Sequence, residues 1–516
     1  MVSRIAGIFA FYKKKKLDEH FLYKLRKYAL KIKHRGNSRY IHEDDPIEII
    51  VYQKKNNKSK LPLNLAFDNK NNIMIVIDGQ IHNLNELSAK YVEQDNCAEK
   101  NEKDLVSIIK GYKKCGLNIL NELIGSFSGI LYDGKDLIGF KDPIGGKPLY
   151  FCENEDIFIF ASELKALTPL HLKVNPIDPG SVKYALGKIN NYYTFPDYIK
   201  KPNLFNLDSK HYAEKLKQTV KLSVKDNVAK GEKICGLLSG GLDSTIITHI
   251  AKDLVEDLNV YTVGTKASKD VTFAKKYTNL FDIAHTILDI SLEDMLESLP
   301  KVIYALETFD AALIRSSVPM FLVSNKIKQD HGECILLTGE GGDELFGGYS
   351  YLLDYYSYDA LNQELINLLE IEHKTGLQRV DRIPYFFSIE ARAPLFDRRI
   401  VELALEIPSQ FKILRKKKWG IAKKWILRKA FEDEMPSEFI WRKKQKFSNG
   451  AGSEFLLRDH INRIITDSEF KDEKHINSIF TLRSKEELYY WRIFKSLFNP
   501  TLETVSELGI TSTYDI

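Results

Sequence analysis

The stretch CGLLSGGLDST, residues 235–245, decides the fold of the larger part of the chain. The composition of residues 233–238, KICGLL, predicts a buried strand that runs into Ser239-Gly240-Gly241. From Asp243 onward the apolar spacing becomes helical, which predicts a helix whose buried face carries Ile246, Ile247, Ile250 and Leu254. The glycines therefore lie in a strand-to-helix turn, where backbone N–H groups and the helix dipole favour an anion such as a phosphate.

Asp243 distinguishes this loop from the commonest nucleotide-binding loop, which carries a lysine. A P-loop lysine follows the β- and γ-phosphates during γ-phosphoryl transfer. An acid instead indicates a magnesium ion that bridges protein and phosphate oxygens. That suits attack on the α-phosphorus of ATP, with pyrophosphate leaving and an AMP ester formed. An ordinary tight turn would explain a Gly-Gly pair, but the whole Ser-Gly-Gly-Leu-Asp-Ser string favours phosphate binding.

A second acidic loop, LLTGEGGDELFGGY, occupies residues 336–349. It also follows a predicted strand, so it belongs at the edge of a parallel sheet where ligands bind. Acids and glycines between apolar flanks would be costly to bury without a ligand or a metal ion. An acidic surface turn is the alternative interpretation of this loop.

The chain of 516 residues is too long for one ordinary core, which predicts two domains. Residues 1–200 carry short apolar runs separated by turn signals, as in a β-rich domain. Residues 210–516 open with helical periods that alternate with short buried strands, as in a doubly wound parallel sheet with helical additions. The protein is therefore predicted to combine α/β and α+β architecture. Within the first domain, hairpin turns are expected at Asp78-Gly79 and Asp133-Gly134. Helices are expected near residues 17–33 and 103–113.

The composition narrows the functional classes. Apolar residues make up 44% of the chain and the formal net charge is +5. The basic runs at 13–16 and 416–418 have no interleaved aromatic residues, so they predict solvated surface and no nucleic acid partner. Five scattered cysteines indicate a reducing compartment and a cytoplasmic protein. No segment approaches the length of a membrane span, so no membrane contact is expected.

Five collinear strings resemble the asparagine synthetase B family. They are the two glycine loops, residues 388–408 (SIEARAPLFDRRIVELALEIP), residues 441–452 (WRKKQKFSNGAG) and residues 484–494 (SKEELYYWRIF). Two strings in the first 200 residues resemble the class II glutamine amidotransferase domain of that family: 141–151 (KDPIGGKPLYF) and 161–167 (ASELKAL). The resemblance implies an Ntn-hydrolase-like β sandwich followed by a parallel sheet of the ATP-pyrophosphatase type.

The resemblance also implies that ATP activates the side-chain carboxylate of aspartate as an acyl adenylate, and that ammonia then displaces AMP. It places Asp243 and Asp343 near Mg²⁺ and gives Glu340 a role in forming the adenylate. Lys444 would face the phosphates, and Arg315 is a candidate to bind a substrate carboxylate. The residues implied to contact the nucleotide and its pyrophosphate are Leu238, Ser239, Gly240, Gly241, Leu242, Asp243, Ser244, Val263, Thr338, Gly339 and Lys424.

Several positions depart from the family pattern. The family domain opens with Cys-Gly-Ile, whose thiol is the nucleophile of glutamine hydrolysis; here Ala6-Gly7-Ile8 takes that place. Asp78-Gly79-Gln80 replaces the usual Asn-Gly-Glu, so this domain is expected to be a structural partner without glutaminase activity. Ala312-Leu313 stands where many members have two threonines, and residues 443–445 read KKQ instead of ending in Lys-Glu. The last two changes put the carboxylate substrate in question.

Two alternatives remain open from the sequence. β-Lactam synthetases and lasso-peptide cyclases share this architecture, often lack the cysteine, and let an internal amine attack the adenylate. A non-enzymatic scaffold ranks lower, because an unused cluster of acids gains nothing for stability. The resemblance is compatible with a homodimer and with a separate subunit that supplies ammonia.

Overall fold

The chain falls into two compact units in the computed structural model. The amino-terminal unit consists of Met1–Thr194, Ile303–Ala311 and Ile461–Ile516. The parallel-sheet unit consists of Phe195–Val302 and Ala312–His460. Within the described residues, no helix combines the length and the apolarity needed to cross a bilayer. The structure describes residues 6–54, 64–92, 100–195, 208–228, 231–264, 268–416, 420–442, 453–478 and 480–509.

Two six-stranded antiparallel sheets form the amino-terminal unit. The strand orders are β10-β8-β9-β1-β3-β2 and β12-β11-β7-β6-β5-β4. Alternate side chains of both sheets meet in one apolar core, which includes Ile8, Ile49, Val76, Ile130 and Phe160. The strands are β1 (Ala6–Lys13), β2 (Ser38–Asp44), β3 (Ile47–Gln53), β4 (Leu65–Asp68), β5 (Ile73–Ile81), β6 (Gly125–Tyr132), β7 (Leu137–Lys141), β8 (Tyr150–Glu153), β9 (Ile157–Ala161), β10 (Asn175–Pro176), β11 (Ser181–Tyr184) and β12 (Ile189–Asn191).

Helices cover the outer faces of these sheets. Ile75 and Ile77 of β5 pack against apolar side chains of the second and third helices. On the other sheet, Arg26 of the first helix pairs with the buried Glu48 of β3 at 2.7 Å. The resulting order of helix, sheet, sheet and helix confirms the predicted β-rich sandwich and both predicted helices. The helices are α1 (Glu19–Ala29), α2 (Leu84–Tyr91) and α3 (Lys100–Cys115).

The two expected hairpin turns had different outcomes. Asp133-Gly134 lies between the antiparallel strands β6 and β7, as predicted. The prediction for Asp78-Gly79 is wrong, because both residues lie inside β5. Gly79 has a φ of 121°, and a Cβ there would lie 2.1 Å from the carbonyl oxygen of Ser126. The glycine therefore serves a close approach to β6, whereas local turn chemistry suggested a chain reversal.

A five-stranded sheet in the order β15-β14-β13-β16-β17 organises the parallel-sheet unit. Every neighbouring pair is parallel, as predicted, and β13 and β16 are the strands predicted before the two glycine loops. The fifth strand was missed because it has only three residues, of which Glu390 and Arg392 are charged and hydrogen-bonded to each other at 2.7 Å. The strands are β13 (Ile234–Leu237), β14 (Asn259–Val263), β15 (Ala284–Leu288), β16 (Ile335–Leu337) and β17 (Glu390–Arg392), with a hairpin of β18 (Ile413–Lys416) and β19 (Gly420–Lys423).

The helix after the first glycine loop is shorter than predicted. It ends at Ala251, so Leu254 lies beyond it and is 42% exposed, against the prediction of a buried position. The helices from here on are α4 (Ser209–Asn227), α5 (Leu242–Ala251), α6 (Lys269–Phe281), α7 (Leu292–Leu306), α8 (Ala311–His331), α9 (Gly342–Phe346), α10 (Tyr358–Ile371), α11 (Gly376–Tyr385), α12 (Arg398–Glu406), α13 (Ser409–Lys412), α14 (Trp425–Phe431), α15 (Ser437–Ile440), α16 (Ser453–Ile464), α17 (Asp467–Glu473), α18 (Lys485–Phe498) and α19 (Leu502–Leu508).

The end of the chain returns to the amino-terminal unit. The Val174 N–H donates to Thr504 Oγ1 at 2.9 Å, across 330 residues of sequence. Phe309 packs its ring against Trp491 and Phe494 of α18. The predicted domain bounds, 1–200 and 210–516, assigned the end of the chain to the second domain. The order of segments along the sequence does not show which sheet a helix near the end of the chain packs against. As bounds of functional domains they stay a prediction.

Candidate active site

The first glycine loop joins β13 to α5 at the carboxyl edge of the parallel sheet. Its own hydroxyl groups hold its shape: Ser239 and Ser244 are hydrogen-bonded at 3.0 Å, and Thr245 Oγ1 donates to the Gly241 carbonyl at 2.6 Å. Gly240 has a φ of 67°, and a Cβ there would lie 2.5 Å from the Asp270 carbonyl oxygen. The loop thus follows the predicted strand–turn–helix form, with the first N–H groups of α5 at its top.

The second glycine loop packs directly against the first. It follows β16 and leads into α9. A Cβ on Gly339 would lie 2.5 Å from the Ser244 nitrogen, and a Cβ on Gly342 would lie 2.2 Å from Asp243 Oδ1. Both positions therefore need glycine for a steric reason, and the two acidic loops meet because β13 and β16 are neighbouring parallel strands.

Lys424 joins the acids of the two loops. Its Nζ lies 2.8 Å from Asp343 Oδ1 and is also hydrogen-bonded to Asp243 Oδ2. Lys424 begins α14 with a φ of 54° and is 2% exposed. Burial alone would lower the pKa of its ammonium group, but the two carboxylates outweigh burial and raise that pKa. Asp243, Asp343 and Lys424, predicted separately, are thus one cluster.

This pair of aspartates fits Mg²⁺. One small cation, the Lys424 ammonium, contacts both carboxylates, so their oxygens converge on one point. Mg²⁺ is usually held by one or two carboxylates, with water and substrate phosphates as the other ligands. In the described part of the chain no group of three or more His, Cys, Asp or Glu residues forms a fuller metal cage. Asp243 and Asp343 are therefore the residues that would hold Mg²⁺.

Arg442 contacts the first glycine loop. The sequence did not identify this arginine as part of the site. Its guanidinium donates to the Gly240 carbonyl and to Asp270, and it lies 4.2 Å from the centre of the Phe273 ring. This contact gives the Gly240 carbonyl a hydrogen-bond partner within the protein. Arg442 stands in a run of basic residues, a pattern that is typical of a charged surface. The sequence singled out this region only through the string 441–452, which resembles the family. Lys444 lies outside the described residues.

The other predicted nucleotide contacts lie at the carboxyl ends of the strands. Leu238 follows β13, Val263 ends β14, and Thr338 follows β16. Leu238 is completely buried, and its carbonyl accepts a hydrogen bond from Thr262 Oγ1 at 2.5 Å. The Thr338 N–H donates to the Arg392 carbonyl at 2.9 Å, which continues the parallel pairing into the loop. This edge is where nucleotides bind in doubly wound sheets.

Glu340 is tied to α8 through Arg379, another residue that the sequence did not identify. Arg379 donates to Glu340 Oε1 at 2.8 Å through Nη2 and to Ser316 Oγ at 2.6 Å through Nη1. Arg315, the predicted carboxylate-binding residue, precedes Ser316 on α8 and is 5% exposed. The second glycine loop and the α8 segment that carries Arg315 thus share one guanidinium.

A second group of charges lies in the amino-terminal unit, where the family would bind glutamine. Asp78 accepts the Ala6 N–H at 3.0 Å and pairs with Arg35 at 3.1 Å. Arg35 also pairs with Glu163. All four residues are buried, and Ala6 offers only a methyl group at the position of the family thiol.

The pairing extends to Glu307. Lys165 Nζ lies 2.5 Å from Glu163 Oε2 and 3.3 Å from Glu307 Oε1, and Glu307 also accepts the Lys165 N–H at 2.7 Å. Burial would raise the pKa of Glu163, but the charges of His34, Lys165 and Arg35 hold that pKa well below its ordinary value. The buried charge network is defined as His34, Arg35, Asp78, Glu163, Lys165 and Glu307.

Comparisons with family models find matches in both parts of the chain. The family model for asparagine synthase matches residues 215–366 and 354–501, and that for a glutamine amidotransferase domain matches residues 51–169. Asparagine synthetase B [glutamine-hydrolyzing] of Escherichia coli (strain K12) is 32% identical over 447 residues, which cover 82% of this chain and 79% of the relative. Asparagine synthetase [glutamine-hydrolyzing] 2 of Oryza sativa subsp. japonica is 29% identical over 453 residues, with coverages of 84% and 75%. Among solved structures, glutamine phosphoribosylpyrophosphate amidotransferase from B. subtilis has a TM-score of 0.31 at 14% identity and covers 55% of this chain and 65% of its own.

Proposed function

Because the chain belongs to the asparagine synthase family, we propose that it converts aspartate to asparagine with ATP and ammonia. Membership places it among the carbon–nitrogen ligases. In the proposed reaction, the side-chain carboxylate of aspartate attacks the α-phosphorus of ATP and releases pyrophosphate. Ammonia then attacks the acyl adenylate and releases AMP. The observation that carries this proposal is the pair of aspartates, one from each glycine loop, on Lys424 at the carboxyl edge of the sheet.

In this proposal the two glycine loops hold the triphosphate. The N–H groups at the start of α5 bind phosphate oxygens, while Arg442 donates to the Gly240 carbonyl. Asp243 and Asp343 hold Mg²⁺, which when bound neutralises the charge of the departing pyrophosphate. Lys424 lies between the two carboxylates. Its positive charge would also stabilise the oxygens of the departing pyrophosphate. Lys444 is proposed to face the phosphates as well.

The acceptor side is assigned to Arg315 and Glu340. Arg315 would bind a carboxylate of aspartate through its planar guanidinium. Arg379 orients the carboxylate of Glu340. This carboxylate would act at the carbonyl group of aspartate that becomes the acyl adenylate. The neighbours Ala312 and Leu313 carry no hydroxyl groups, so their side chains offer no hydrogen bond to a substrate. Aspartate binding is therefore expected to depend strongly on Arg315.

Ammonia is proposed to come from outside this chain. Ala6 cannot form a thioester, and Asp78 and Arg35 are engaged within the buried charge network. The amino-terminal unit then acts as a structural partner, and a separate subunit can deliver ammonia in the cell.

The test is product analysis with purified protein, ATP, Mg²⁺, ammonium and a panel of carboxylates. We expect AMP and pyrophosphate in equal amounts, formed with aspartate and accompanied by asparagine. ADP and inorganic phosphate as the coupled products would contradict the proposal. Pyrophosphate release that needs a larger amino-bearing carboxylate and no ammonium would instead favour the cyclising reaction of β-lactam synthetases and lasso-peptide cyclases.

A further inference from the structure

Glu372 is a buried acid that the steps above do not use. It follows α10 in a short 3₁₀ turn, Glu372–Lys374, and is 4% exposed. Its Oε2 accepts a hydrogen bond from Thr375 Oγ1 at 2.9 Å. Its Oε1 is buried and has no hydrogen-bond partner within the part of the chain that the structure describes. A buried acceptor in that state is costly unless a ligand satisfies it.

Oε1 of Glu372 is turned toward Glu340. Both acids border Gly376, the first residue of α11: a Cβ there would lie 2.0 Å from Glu372 Oε1 and 3.6 Å from Glu340 Oε2. The other oxygen of each acid is already held, by Thr375 in one case and by Arg379 in the other. Each carboxyl group thus brings one oxygen to the same place beside Gly376, and the gap is defined as the space between these two oxygens.

We propose that Glu372 and Glu340 bind the nitrogen nucleophile of the reaction, as an ammonium ion held between Glu372 Oε1 and Glu340 Oε2. The inference rests on the proposed function, because it names the site of the second substrate of that reaction. An ammonium ion has only hydrogen-bond donors, and charge-assisted hydrogen bonds to two carboxylates are the strong kind. A water molecule would satisfy the same oxygens but leave the two acids with Arg379 as their one counter-charge.

The charges around Glu372 favour a cation in the gap. The acids that face it are Glu344 and Glu340, and the positive group is Arg379. Tyr349 borders the same cluster, with its hydroxyl on Glu344. Burial, then the charges of Glu344 and Glu340, raise the pKa of Glu372 well above its ordinary value. Burial and the neighbouring acids thus disfavour the charged form of Glu372, and an ammonium ion in the gap would offset them with a positive charge and several hydrogen-bond donors.

The same two acids can accept the protons that amide formation releases. Glu372 takes one proton from ammonium, which leaves ammonia with a free electron pair. That pair forms the new C–N bond at the carbonyl carbon of the adenylate, and the C–O bond to the phosphate breaks with its electrons on AMP. Glu340 takes the second proton as the amide forms. Both acids then return their protons to solvent.

The discriminating variant is Glu372→Gln, which keeps the shape of the side chain and removes its charge. Loss of one charged hydrogen bond should raise the KM for ammonium by about tenfold or more. Hydroxylamine is uncharged near neutral pH and needs no base. It therefore gains little from the charge of Glu372, and hydroxylamine-dependent turnover should fall by less than about threefold. Aspartate-dependent exchange of labelled pyrophosphate into ATP should be unchanged. The matched control is Glu370→Gln, at an exposed position of α10.

Equal losses with ammonium and hydroxylamine would overturn the inference, as would an unchanged KM for ammonium. Failure of the proposed function is recognised separately, because the wild-type protein would then show no aspartate-dependent pyrophosphate exchange. Binding is also measured without turnover, by thermal unfolding in ammonium chloride and in potassium chloride at equal ionic strength. Ammonium should raise the Tm of the wild-type protein more than potassium does, and this difference should vanish in Glu372→Gln. An equal shift with both salts would also overturn the inference.

Discussion

The two units bury charge in opposite ways. In the amino-terminal unit, the cations Arg35 and Lys165 each contact two acids of the buried charge network. In the parallel-sheet unit, the acids Glu340, Glu344 and Glu372 lie around the single cation Arg379. The first arrangement is a network of paired charges that also includes His34, whereas the second keeps an excess of acids.

Glycine permits the close contacts around the proposed site. At Gly339, Gly342 and Gly376 in the parallel-sheet unit, a Cβ would meet a backbone or carboxylate atom within 2.5 Å. These positions let acids and loops approach one another closely. A charged cluster therefore indicates a ligand site when its counter-charges are too few, and a structural site when they match.

The largest effect is expected from a change of nitrogen source. Glutamine hydrolysis needs a nucleophile, and its loss typically costs several orders of magnitude in rate, on the order of 10⁶-fold in one protease. We therefore expect ammonium to support synthesis and glutamine to support it poorly or not at all. The measurement is glutamate released from glutamine by the purified protein. Robust release that a thiol-directed inhibitor abolishes would show that one of the cysteines has replaced the missing thiol.

Asp243→Asn tests the ligand-binding side of the comparison. Loss of this carboxylate should reduce turnover by about 10²–10³-fold, the usual effect of removing one electrostatic contact to the transition state. The fold should persist, because the variant removes one of two acids on a lysine that keeps Asp343. Pyrophosphate release and thermal unfolding are measured side by side. Asp253→Asn, at an exposed position just beyond α5, is the control and should behave as wild type.

Arg315→Lys tests the acceptor side. Lysine keeps the charge but not the planar pair of donors, so the KM for aspartate should rise by about tenfold or more, with the KM for ATP little changed. Steady-state pyrophosphate release at varied aspartate and ATP gives both constants. Equal effects on the two would mean that Arg315 holds the fold of the site and does not bind the substrate. Lys326→Arg, on the exposed part of α8, is the matched control.

Glu163→Gln should have the smallest effect on turnover and a clear effect on stability. Removing one partner of a buried ion pair typically lowers the free energy of unfolding by about 3–5 kcal/mol. Ammonium-dependent synthesis per folded molecule should be nearly unchanged, because no residue of the buried charge network is a proposed catalytic group. Chemical denaturation measures the loss, with the exposed Glu155→Gln as control.

The same variant gives a pH signature. The folded pKa of Glu163 lies well below its ordinary value, so its contribution is present above the ordinary pKa and is lost as the pH falls through the folded pKa. The stability gap between wild type and Glu163→Gln should therefore narrow in acid. A gap that does not depend on pH would mean that the network is neutral in the folded protein.

Local chemistry was readable from the sequence wherever a few neighbouring residues determine it. The strands of the parallel sheet, the two glycine loops and the turn at Asp133-Gly134 depend on composition and on backbone requirements over short windows. For the same reason, the resemblance to a family rested on those loops. The misplaced turn at Asp78-Gly79 and the buried position assigned to Leu254 show the limit of such windows.

The sequence by itself determined the two architectures, the acid-bearing phosphate loop and the missing thiol. Only the tertiary structure decided which charges are matched. Arg442 reaches Gly240 across 202 residues, and Glu307 reaches Lys165 across 142. The gap between Glu340 and Glu372 likewise depends on how α11 begins at Gly376. These contacts depend on how distant segments pack. They cannot be predicted from a residue's neighbours along the chain, because burial and pairing arise only when the chain has folded.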